Sequence, residues 1–156
     1  MYKVKVLDKL LQEVYASRSE KDDPLQGFKF RVSIPGIPAS CGFSKIGGLE
    51  MEIGVAEYDE GGYDYTHKIQ GKAKGGELTC EKGVSANRQV EQLFRNALTS
   101  RERCTVVVML LDVHNRVSRT WKFAECWCSK WEVDDLDASS DDVVMEKVTI
   151  QYEHVL

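Results

Sequence analysis

A mainly β protein, an antiparallel sandwich or barrel with one packed helix and a long connecting loop, is what this 156-residue sequence predicts. Three observations carry the prediction. Apolar and polar residues alternate with a period of two in several separate runs, and residues that favour turns (Gly, Pro, Asn) separate those runs. Within the body of the chain only one stretch, Val90 to Ala97, repeats with the helical period instead. The length suits a single domain with one core.

Residues 1–22 stand apart as an N-terminal amphipathic helix and linker, with a β domain over 23–156. Leu7, Leu10, Leu11 and Val14 fall at i, i+3, i+4 and i+7, and "SRSEKDD" closes the segment with charge before Pro24. Two readings stand for this helix: a cap on the domain's own core, or an arm that docks on a partner. From Gly27 the period becomes two, with Phe28, Phe30, Val32 and Ile34 on one side and Lys29, Arg31 and Ser33 on the other, a half-buried strand. "PGIP" at 35–38 ends it, because proline cannot donate to a ladder.

A second strand is predicted where Leu49, Met51, Ile53 and Val55 alternate with Glu50, Glu52, Gly54 and Ala56. A long connection follows to Glu77, its acids first and its bases later, with "YTHKI" a short strand-like piece inside it. "ELTCEKGV" reads as a strand. Ser85 is the expected N-cap of a helix whose apolar stripe is Val90, Leu93, Phe94 and Ala97. "CTVVVMLLDV" and "VSRTWKFAEC" form a hairpin around "HNR". "CWCSKWEV" is a further strand with a bulge invoked between Trp127 and Trp131, and "VVMEKVTIQYEHV" is expected to be the longest strand.

Composition narrows the function. Net charge is −4 with acids and bases interspersed, which argues against a basic face wrapped on nucleic acid. The longest apolar stretch, Val106 to Leu111, is far short of a membrane span, and the N-terminal run lacks a signal peptide's apolar centre, so a cytoplasmic site of synthesis is expected. Five cysteines form no CxxC pair, and those in strand-like runs read as buried thiols. The odd number leaves a pairing with a neighbouring subunit open, with Cys41, Cys126 and Cys128 as candidates.

No catalytic constellation is found. The glycines of "GFSKIGGLEMEIGVAEY" precede a strand, so they lack the helix N-terminus that a phosphate cradle needs. His67, His114 and His154 have no carboxylate or cysteine at ligand spacing and read as surface residues. The acids of "WEVDDLDASSDD" do not match the spacing of a calcium loop and read as a solvated turn. The sequence therefore predicts no catalytic residue, metal or cofactor. What remains, polar sheet surface with a long arm, suits self-assembly, in which sheet edges are satisfied by neighbouring subunits. A β-barrel whose apolar faces hold a small ligand is the alternative from a different class.

The order of pieces resembles the tail tube protein family of contractile phages. The resemblance starts in "DDPLQGFKFRVSIPGIPASCGFSKIGGLEMEI", with Asp23, Pro24, Phe28 and Phe30, then Gly42, Phe43 and Ser44, then Gly48, Leu49 and Glu50. It continues through "EYDEGG", "KIQGKAKGGELTCEKGV" and "LLDVHNRVSRTWKF". It ends in the Trp131, Asp135, Leu136, Asp137, Ala138 turn, so that it covers residues 23–156. The family includes the inner tubes of R-type pyocins and contractile injection systems.

The resemblance implies hexameric rings that stack and join their sheets into a continuous barrel around a channel. It also implies a sheath outside, a tape-measure protein with DNA or protein cargo inside, and a baseplate hub or initiator at one end. It implies assembly in the host cytoplasm, then residence in a virion tail or released particle. The loop over 57–76 becomes the contact between subunits and rings, with Tyr58, Asp59, Glu60, Gly61, Gly62, Lys72 and Lys74 its candidate residues. Glu50 and Glu52 become candidates for the channel lining. The extra residues 1–22 keep a second role within the family open, that of a baseplate-proximal tube initiator or terminal adaptor.

Overall fold

The computed structural model describes residues 27, 29–37, 42–86 and 88–156. The amphipathic helix expected over 1–22, and with it Phe28 and Cys41, lies outside the described residues.

Among the described residues, nine strands and one helix follow in the order β1 (Phe30–Ser33), β2 (Lys45–Gly47), β3 (Glu52–Tyr58), β4 (His67–Lys74), β5 (Gly76–Gly83), α1 (Gln89–Ser100), β6 (Cys104–Leu111), β7 (Val117–Val133), β8 (Met145–Tyr152) and β9 (His154–Val155). All pairings are antiparallel. Seven strands form one sheet, ordered β1-β6-β7-β8-β5-β2, with β9 also paired to β7.

The two strands expected over "VSRTWKFAEC" and "CWCSKWEV" are one. β7 runs for 17 residues and is the longest strand, in place of the C-terminal one. It serves two ladders. Up to Cys126 it pairs with β6, and from Trp127 it pairs with β8. The change of partner falls beside Glu125, a non-glycine residue at φ 57. A second irregularity lies between Cys128 and Lys130. Residues four apart share a face on an unbroken strand, but this extra residue separates the two tryptophans. Trp127 stands opposite Gln151 on the outer face, and Trp131 opposite the buried Val148.

Because the sheet turns over along β7, its two halves face each other and close one core. Val32, Ile34, Val106 and Val108 come from the β1–β6 side, and Leu78, Cys80, Val148 and Ile150 from the β5–β8 side, with Phe123, Cys126 and Tyr152 between. Strand alternation explains the selection: β8 buries Glu146, Val148, Ile150 and Tyr152 in strict period two. Glu146 is a carboxylate on the core side. Lys82 lies 3.8 Å from it and the Trp131 indole N–H donates to it at 3.2 Å, so the buried charge is paired and hydrogen-bonded.

The helix buries the expected stripe, with Val90 in the core and Phe94 stacked on Trp131 at 6.2 Å. Its start differs from expectation. It begins at Gln89 with Arg88 in the capping position, not at Ser85, and no side chain caps it by hydrogen bond. Glu91 in the first turn instead accepts from Arg88 and Arg95, which hold its carboxyl down to about 2 through hydrogen bonds first and charge second.

Candidate assembly surface

The segment expected as a strand followed by a long loop is a β-hairpin that leaves the main sheet. β3 and β4 pair only with each other. The expected burial of Leu49, Met51, Ile53 and Val55 is not found: all four are exposed, and none joins the core. The region 57–76 is correspondingly mostly strand, with a tip over 59–66. Alternation in "HKIQGKAK" was visible in the sequence, but a glycine, three lysines and the lack of β-branched residues beyond Ile69 made it read as a loop.

Register sorts the ribbon into two faces, since residues opposite one another in an antiparallel pair share a side. Ile53 faces Ala73, Val55 faces Gln70, and Glu57 faces Lys68 on one side. Glu52 faces Lys74, Ala56 faces Ile69, and Tyr58 faces His67 on the other. The register shift between Ile53 and Val55 spans two residues of β3 but three of β4, so β4 carries the extra residue and Ile53 and Val55 stay on one face. The shift is possible because Gly54 meets Gly71: a Cβ at Gly71 would come within 2.8 Å of the Gly54 carbonyl oxygen.

The charges satisfy each other, one pair on each side: Lys74 lies 2.8 Å from Glu52 and Lys68 lies 3.8 Å from Glu57. The apolar side chains find no such partner, with Ile53 48%, Val55 65% and Ile69 53% exposed. A two-stranded ribbon is at best marginally stable alone in water, and this one offers water apolar surface that nothing in the chain covers among the described residues.

The root of the hairpin is built tightly. The Tyr152 hydroxyl points its one proton between the carbonyls of Gly48 and Glu50, at 3.0 and 2.8 Å. Three glycines make room for this. Gly48 sits at φ +82, and a Cβ there would overlap the Glu77 carbonyl; a Cβ at Gly75 would overlap the Tyr152 carbonyl, and one at Gly76 would come within 2.6 Å of the Tyr152 hydroxyl. Gly42 and Gly47 have open space around them. Tyr152→Phe is expected to lower unfolding free energy by about 1 kcal/mol. The same change should speed amide exchange in β3 and β4 more than in β8; uniform exchange across the two regions would contradict this anchoring.

The tip gathers Tyr58, Glu60, Tyr63 and His67. His67 stacks on Tyr58 with ring centroids 6.3 Å apart and packs against Tyr63 at 5.3 Å, and its Nε2 lies 3.5 Å from a Glu60 carboxylate oxygen. It is therefore part of a cluster and not the free surface residue expected. Asp59, Gly61 and Gly62 are exposed in the same tip, Gly62 at φ +94. Lys72 and Lys74 lie at the end of β4 away from the tip, Lys74 opposite Glu52. Glu50 precedes β3 at the root, whereas Glu52 is inside it and paired with Lys74, so the two carboxylates do not form one row.

Two of the three candidate thiols lie at the core. Cys126 is fully buried and Cys128 half-buried, packed against the core with Cys80 and Cys104. Burial pushes Cys80 up to about 12 and Cys128 up to about 11, and raises Cys104 and Cys126 as well. Burial of Cys126 disfavours a pairing with a neighbouring subunit.

Solved structures that share this fold include three from injection particles. The PVC sheath–tube complex of an extracellular contractile injection system, in its extended state, gives a TM-score of 0.75 at 20% identity, covering 90% of this chain and 97% of the other. A chain of the anti-feeding prophage (AFP) baseplate gives 0.74 at 24% identity, covering 86% and 95%. A chain of the anti-feeding prophage cap, which terminates the tube, gives 0.76 at 18% identity, covering 92% and 96%. No curated protein matches in sequence. The model of the T4-like virus tail tube protein gp19 matches residues 26–156, nearly the whole β domain, and the chain therefore belongs to that tail tube protein family.

Proposed function

We infer that the protein is a structural subunit of an inner tail tube, built from stacked hexameric rings around a channel, in a contractile phage or a phage-tail-like injection particle. The observation that carries this reading is the β3–β4 hairpin, whose exposed Ile53, Val55 and Ile69 stand outside the chain's own core and call for a second copy of the chain. Likeness to a sheath–tube complex and to a baseplate supports a sheath around the tube and a baseplate hub or initiator at its end. A tape-measure protein and DNA or protein cargo would pass through without specific binding. No catalytic role is proposed.

Glu50 and Glu52 are retained as candidates for the channel lining. A polyanion slides past a neutral or acidic wall, whereas a basic wall would hold it through counterion release. The Glu52–Lys74 pair makes that point of the ribbon locally neutral. Assembly in the host cytoplasm followed by residence in a tail or released particle is the matching life history.

Tube, baseplate and cap chains resemble this one equally well, at TM-scores of 0.74 to 0.76, so the fold serves a main tube subunit and a terminal adaptor alike. Assembly separates them. Electron microscopy of the concentrated protein is expected to show long six-fold tubes. Single rings that never stack would identify an initiator or adaptor, and monomers under all salt conditions would overturn the inference.

A further inference from the structure

The hairpin tip holds a histidine whose environment is incomplete. The Nε2 atom of His67 is shielded from water and has no hydrogen-bond partner, although it lies 3.5 Å from the Glu60 carboxylate. That separation is within ion-pair range but outside good hydrogen-bond geometry. Tyr58 and Tyr63 cover the ring. The Glu60 carbonyl also accepts from the Tyr63 N–H at 3.1 Å, which ties the carboxylate and the second tyrosine into one turn. The other charged groups nearby do not compete. Lys68 and Glu57 pair with each other on the opposite side of the ribbon, and Asp59 and Asp64 are exposed in the tip.

We propose that His67 and Glu60 form a proton-operated latch that sets the shape of the hairpin tip and thereby tunes assembly. It rests on the reading of the hairpin as a contact between subunits. A neutral imidazole with its proton on Nδ1 turns a lone pair toward the carboxylate. A protonated imidazole turns an N–H toward it in every case and places a cation between two tyrosine faces. Proton uptake therefore favours the closed tip, and by linkage a closed tip favours proton uptake. Neighbouring subunits accept only the closed tip in this scheme, so assembly strengthens on acidification.

The test uses the full chain, His67→Gln and Glu60→Gln, with His114→Gln and His154→Gln as controls for the other imidazoles. Two readouts are needed. In the dilute monomer, protection of the amides of residues 59–66 against hydrogen exchange should rise several-fold from pH 7.5 to 5.5 in the wild type and in both controls, and should stay level in the two latch variants. In concentrated protein, the concentration at which tubes sediment should fall several-fold over the same range, again only where both latch residues are present. Equal pH dependence in His67→Gln and wild type would overturn the latch while leaving tube assembly standing. A latch response in the monomer, with no assembly at any pH, would instead overturn the tube reading and the latch's role in it.

Discussion

Aspartate at both Ile53 and Ile69 is expected to abolish ring and tube formation while leaving the monomer folded. Both side chains are about half exposed, Ile53 on one side of the hairpin and Ile69 on the other, and neither belongs to the core. In the monomer a carboxylate at either position stays in water, and surface changes of this kind cost about 0.5 kcal/mol or less. In an assembled tube the same two positions would be buried against a neighbour, where an unpaired carboxylate must be desolvated or neutralised. A ring repeats the penalty at every interface, so the loss should be complete and not graded. Sedimentation and electron microscopy read the assembly, and thermal unfolding of the dilute protein reads the fold. Tubes that form normally from the double variant would show that neither side of the hairpin is an interface. Alanine at the polar Gln70, which introduces no charge, serves as the comparison and should assemble.

Phe123→Ala is expected to cause the largest loss of stability in the chain, about 3–5 kcal/mol. Phe123 is 1% exposed, lies on β7 just before that strand changes partner, and meets Tyr152 edge-to-face at 4.8 Å. Removing the ring leaves a void between the two halves of the sheet and takes away a contact of the tyrosine that anchors the hairpin. Since domains of this size are stable by only about 5–15 kcal/mol, denaturant midpoints should fall by a large fraction. Assembly should weaken as well, through the loosened root. A loss of less than about 1 kcal/mol would mean that the core closes over the gap. The outward Trp127→Ala, on the same strand but 45% exposed, should cost much less despite the larger side chain removed.

How much of this was legible beforehand depends on where the pattern met a single interface. Val32, Ile34, Val148 and Ile150 were readable because each strand has one wet and one dry face, and period two marks it. The helix was readable for the same reason at period 3.6. The hairpin was not, because its apolar residues are placed for a surface outside the chain. Ile53 and Val55 look like a core pair by alternation, and they do share a face, but that face meets no part of the chain's own core. A bulge leaves little trace in one sequence, and it also hid the union of two expected strands into β7.

The tip cluster was missed differently. Tyr58, Glu60 and His67 were each noticed, but ring stacking across a hairpin depends on register, which the turn decides and composition does not. Tyr152 was passed over because its bonds to Gly48 and Glu50 span about a hundred positions along the chain. The family resemblance implies contacts between subunits for 57–76, in line with the long arm that the residues themselves suggested.

The sharing of β7 between two ladders has a mechanical side. A sandwich whose halves are joined only by loops yields when one half slides over the other, because no ladder resists. Here a single 17-residue strand is hydrogen-bonded to β6 along one part and to β8 along the other. A force that pushes the halves apart along the strand loads these rungs in shear, many at once, and must break them together before the chain gives way. Stiffness under axial load is thus written into the covalent continuity of one strand, at the cost of a single left-handed residue, Glu125, where it turns the corner.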